Sequence, residues 1–175
     1  MPPAPSPDHP HHLIEEFRAL PASSDRRREI VAELDGNAEA LPFLASVVAD
    51  PQEYDLARVE AATILRLWPP SDPATARTAA QALLAALRDP EDDLVRQYAA
   101  AALGPYADEP AVDQALATAL RPDEEPLVRD NALAAVEEAG PSDARTDVLR
   151  ALTRDPDLGR AAARILTAWG RDLGA

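Results

Sequence analysis

The chain has 175 residues, a formal net charge of −14, 46% hydrophobic but only 4% aromatic side chains, and no cysteine. That length suits one domain, the scarcity of aromatics requires a core closed mainly by alanine, leucine and valine, and the missing thiols exclude disulfides and thiolate metal sites. The acidity disfavours nucleic acid, whose phosphates need lysine or arginine to displace counterions, and the chain contains no lysine at all.

Met1 to Pro10 is rich in proline and is expected to form a disordered tail holding His9, with His11 and His12 just beyond. Three histidines without companion ligands predict no metal site. Leu13 to Leu20 reads as a short amphipathic helix stopped by Pro21. A second helix follows through Ile30, Val31 and Leu34 to Gly36; its triple arginine, Arg26 to Arg28, reads as a solvated face. Pro42 fits the first turn of a third helix, where its missing donor is harmless. Asp50-Pro51 breaks the chain before a helix over 55–68, and Pro69-Pro70 ends that pair. Ser71-Asp72-Pro73 opens a helix through Leu83, Leu84 and Leu87. Asp89-Pro90 ends it, because proline biases the preceding residue away from helical angles.

The stretch from Asp89 to Gly104 is the clearest unit. Its acids meet the positive end of the next helix dipole, and Leu94, Val95, Ala99, Ala102 and Leu103 are expected to form one buried stripe. Helices follow through Val112, Leu116 and Leu120, over 127–139, through Val148 and Leu152, and over 158–170. No stretch alternates with period two, so no sheet is predicted. Ten helices in five hairpins make an all-α chain. Looser copies of the central stretch are anchored on Arg58, Arg96, Arg129 and Arg160, at intervals of 38, 33 and 31 residues. A period in that range marks stacked helical hairpins, an α-solenoid spanning residues 11–175.

Ala40-Leu41-Pro42-Phe43-Leu44, an Asp-Pro turn, and the run from Leu94 to Gly104 resemble HEAT repeats, in particular the bacterial type found in phycobilisome lyases. The resemblance covers residues 37–170, with 10–36 as a degenerate first hairpin. It implies a structural ladder in which the arginines at 58, 96, 129 and 160 pair with turn acids, here Asp55, Asp92 or Asp93, Asp123 and Asp157. Gly159 and Thr167 depart from the pattern and point to a capping repeat.

In such solenoids the second helices line an extended concave surface. Two, five and nine residues after each arginine, the sequence places Glu60, Thr63, Tyr98, Asn131, Glu138 and Trp169 on one face, the candidate partner-binding residues. No chemistry emerges: there is no helical histidine pair, glycine-rich phosphate loop or nucleophile elbow, so no catalytic residue, metal or cofactor is expected. The expected function is a non-catalytic protein-interaction scaffold. The alternatives are an acidic immunity or inhibitor protein neutralising a basic toxin or nuclease and, by resemblance only, a lyase-like maturation factor. No apolar run approaches the roughly 20 residues of a membrane span, and no signal peptide is evident, so a cytoplasmic monomer is the expectation.

Overall fold

Proline and glycine punctuation cuts the chain into helices where the sequence places the breaks. The computed structural model describes residues 9–172. It shows α1 (His9–Ala19), α2 (Asp25–Glu33), α3 (Leu41–Ala49), α4 (Asp55–Leu67), α5 (Pro73–Leu87), α6 (Asp93–Ala102), α7 (Pro110–Ala119), α8 (Pro126–Ala139), α9 (Asp143–Leu152) and α10 (Gly159–Ala168). No strand occurs among the described residues. Pro73, Pro110 and Pro126 each sit in a first turn, where no amide donor is needed. Asp72, Asp92, Glu125 and Ser142 accept from the first-turn amides of Thr75, Val95, Val128 and Arg145, which have no partner within their helices.

Successive helices pair as hairpins, and the second helices α2, α4, α6 and α8 stack side by side in that order. Alanine makes this possible. Ala57, Ala61, Ala62, Ala99, Ala100, Ala102, Ala132 and Ala135 are buried where these helices meet, and Leu44, Leu65, Leu83, Leu103 and Leu116 fill the layer behind them. The two ends of the stack are polar. His11, His12, Glu15 and Arg18 are exposed on α1, and Arg160, Arg164 and Thr167 on α10, the polar outer faces typical of capping repeats.

A repeated staple joins each hairpin to the next. Arg27, Arg58, Arg96 and Arg129 lie in the first turns of α2, α4, α6 and α8, and each donates to a carbonyl at the end of the preceding helix: Leu20, Val48, Leu87 and Leu120. Each guanidinium also reaches forward to an acid in the following hairpin's turn: Glu53, Asp89, Glu124 and Asp155 respectively. Those four acids divide their oxygens in the same way. One oxygen takes the arginine; the other accepts an amide of its own turn, from Tyr54, Glu91, Glu125 and Leu158. A single carboxylate thus fixes its own turn and the packing of two repeats.

Several expectations are corrected here. His9 and Pro10 belong to α1, because a proline in the first helical turn costs no hydrogen bond; the rest of the expected tail lies outside the described residues. His11 and His12 stand on that helix, and no metal-binding cluster occurs among the described residues. Arg27 is not a solvated face residue: it is half-buried, stapled, and its guanidinium carbon stacks 4.5 Å from the Phe17 ring centroid. Arg160 makes no staple. It is exposed and ion-pairs with none of the described residues. Asp55 and Asp123 are not the acids that receive the arginines.

Candidate functional site

The exposed stripe of a helix is whatever its neighbours leave uncovered. On α6 that stripe runs Leu94 and Tyr98, exposed, to Ala101, half-buried; on α4, exposed Leu56 to half-buried Glu60 and Thr63; on α8, exposed Leu127 and Ala134 with half-buried Asn131 between them. Because α4 and α8 flank α6, the three stripes form one continuous face. Leu94 therefore leaves the stripe expected to be buried. Val95, Ala99 and Leu103 carry the core contact, while Leu94 points with Tyr98, one turn further along, towards solvent.

The face is concave at its far end. Arg66 Nε on α4 and Glu138 Oε2 on α8 meet at 3.0 Å although α6 stands between their helices, which requires the two walls to lean together over the end of α6. Gly104 makes room for this bridge: a Cβ there would lie 2.8 Å from Glu138 Oε2. Beneath it the chain tightens into a short 3-10 turn, Gly104–Tyr106. The Tyr106 hydroxyl donates to the Leu65 carbonyl at 2.6 Å, and burial pushes its pKa up.

Polar contacts hold the walls. Asn131 Nδ2 donates to the Gln97 carbonyl at 3.0 Å, tying α8 to α6. Thr63 Oγ1 donates to Val59 O in its own helix, and Glu60 pairs with Arg28 of α2 at 3.5 Å. Glu60, Thr63, Tyr98, Asn131 and Glu138 are thus brought to one face. Trp169 is not among them: α10 turns Ala162 and Ile165 into the core and leaves Trp169 half-buried against it. Gly159 starts α10 so close to the preceding turn that a Cβ would lie 2.6 Å from the Thr153 carbonyl, and the positions two and five residues after Arg160, Ala162 and Ile165, are buried.

The edge where α4, α6 and α8 begin carries a feature that the sequence reading did not single out. Leu56, Leu94 and Leu127 occupy the same position, two residues before the staple arginine, and are 37, 39 and 53% exposed. Beside them stand Asp55, Asp93 and Asp130, all exposed. Across the junction between α4 and α6, Asp55 faces Asp92. Its carboxyl pKa is raised by partial burial first and by the Asp92 charge second. One oxygen of Asp92, Oδ2, is buried without a hydrogen-bond partner, and the Arg58 guanidinium lies 3.9 Å away.

No helix among the described residues is long and apolar enough to cross a membrane. No curated protein matches the chain. A family profile describing HEAT repeats matches residues 80–170, just over half of the sequence, and describes the repeat class without singling out the lyase type. Stacked helical hairpins, the recurrent arginine staple and this match agree: the chain belongs to the HEAT-repeat family.

Proposed function

We propose that the protein is a non-catalytic interaction scaffold that holds a partner protein on the face formed by α4, α6 and α8. The observation that carries this reading is the register of the face. Three leucines and Tyr98 are exposed at positions that repeat from helix to helix, where the core makes no demand for them. Scattered surface leucines need no explanation, but an apolar row in register across three helices is a contact surface. HEAT repeats commonly mediate protein–protein interaction, and a stacked array presents such a surface as one extended strip.

A photo-crosslinking residue placed at Ala101, on the floor of the face, should capture a partner from an extract of the source cells. The same group at Gln81, exposed on α5, should not. Equal adducts at both positions, or none at Ala101, would remove the assignment. The charge of −14 favours one particular form of this function, an inhibitor docking on a basic protein. Electrostatic steering would then make the association rate fall steeply with salt.

A further inference from the structure

The interaction reading leaves the partner's chemistry open, and the leucine-headed edge narrows it. Packed helices lie about 8–10 Å apart, so Leu56, Leu94 and Leu127 form a row with roughly that step. An extended polyproline-II segment returns a side chain to the same side every third residue, about 9 Å along. Each leucine has a carboxylate neighbour: Asp55 precedes Leu56, Asp93 precedes Leu94, and Asp130 follows Leu127 by three positions, almost one turn along α8. The arginines nearest this face are already engaged. Arg28 pairs with Glu60, Arg66 with Glu138, Arg96 with Asp93 and Glu124, and Arg164 with Glu137. Asp55 and Asp130, by contrast, make no ion pair with any described arginine.

Resting on the interaction reading, we infer that the occupant of this edge is an extended, basic segment of a partner protein, with apolar side chains every third residue on the leucine row and arginine or lysine between them. A cation reaching Asp55 also relieves its opposition to Asp92, whose Oδ2 has no hydrogen-bond partner. A second copy of this chain is the wrong occupant, since each copy carries −14 and like charges repel. A purely cationic strand is also wrong, because it would leave three exposed leucines facing backbone.

The probe is an acetylated, amidated peptide of four Leu-Arg-Pro units, in which proline holds the extended form. Two controls replace leucine with serine or arginine with glutamate. Calorimetry or fluorescence anisotropy with the full chain should show the Leu-Arg-Pro peptide binding at least tenfold more tightly than either control. Leu94→Ser and Asp55→Asn should each weaken it about tenfold, while Gln81→Ala should not; both altered residues are exposed, and circular dichroism verifies their folding. Equal affinity for the serine peptide overturns the leucine row. Indifference to Asp55→Asn overturns the role of the carboxylates. Absence of peptide binding overturns the inference as a whole; if the Ala101 crosslink still captures a partner, the scaffold reading stands without it.

Discussion

Replacing Arg58 with methionine keeps the aliphatic stem and removes the guanidinium from a position only 2% exposed. Three things are lost together: the bond from Nε to the Val48 carbonyl at 3.2 Å, the pair with Asp89 at 3.3 Å, and the cation nearest to Asp92, at 3.9 Å. Removing one partner of a buried ion pair costs about 3–5 kcal/mol, mostly because the other charge is left without compensation. The Asp89 side chain retains 14% exposure, so water takes over part of its solvation. That places the expected loss near the lower end, about 3 kcal/mol, a large part of the ~5–15 kcal/mol that holds a typical domain together. Urea unfolding followed by far-ultraviolet circular dichroism reads it directly. With a slope of about 1–3 kcal/mol/M the midpoint should fall by roughly 1–3 M. Arg160→Met is the internal comparison, since sequence spacing makes the two arginines equivalent while the fold leaves Arg160 exposed; its effect should stay within about 0.5 kcal/mol. Asp89→Asn added to Arg58→Met should recover part of the loss by neutralising the abandoned carboxylate. Equal midpoints for Arg58→Met and Arg160→Met would refute the staple as a stabilising device.

Leu103→Ala truncates a fully buried side chain and should destabilise by roughly 2–5 kcal/mol in the same assay; an unchanged midpoint would mean that the layer behind α6 is loosely packed. Tyr106→Phe leaves the Leu65 carbonyl, now bonded at 2.6 Å, without its donor and should cost about 1–3 kcal/mol, whereas a negligible change would show that water reaches it. Asp55→Asn tests the acidic pair. A carboxyl whose folded pKa is raised loses stabilisation as it ionises, because the folded state holds the proton more tightly than the unfolded chain does. The variant should therefore gain on the parent as pH rises from about 4, the ordinary aspartate value, towards neutrality; a gap independent of pH would show that the pair is not coupled to folding.

Helix breaks were legible because they depend on residues whose backbone chemistry is local: Asp50-Pro51, Asp89-Pro90 and Gly140-Pro141 stop helices whatever surrounds them. The spacing of Arg58, Arg96 and Arg129 was legible for the same reason, since equivalent turns repeat the same local sequence. Their acid partners were not. Each acid belongs to the next hairpin, in Glu53, Glu124 and Asp155 five residues before the arginine position of that hairpin, so finding it requires knowing which turns abut. Arg27 hid inside a run of three arginines, where periodicity cannot tell a stapled side chain from its solvated neighbours. The alanine run after Leu94 had a similar effect: with small residues on every side of α6, the sequence offers little contrast between the stripe headed by Leu94 and the one headed by Val95. Only the position of α4 and α8 decides which is covered. Trp169 was not legible because α10 buries Ala162 and Ile165, the positions that α6 and α8 leave towards the face, and the arginine spacing alone does not reveal that departure.

The staples also draw on a chemistry particular to arginine. All seventeen basic residues other than histidine are arginines, and at least twelve of them ion-pair among the described residues. Arginine suits that task because its planar fork serves a carbonyl and a carboxylate at once, as Arg96 does with Leu87 and Glu124. In a stack where each repeat contacts only its neighbours, the same staples set the step from one hairpin to the next. They therefore set the spacing of Leu56, Leu94 and Leu127, and the proposed contact row inherits its geometry from arginines that lie behind it.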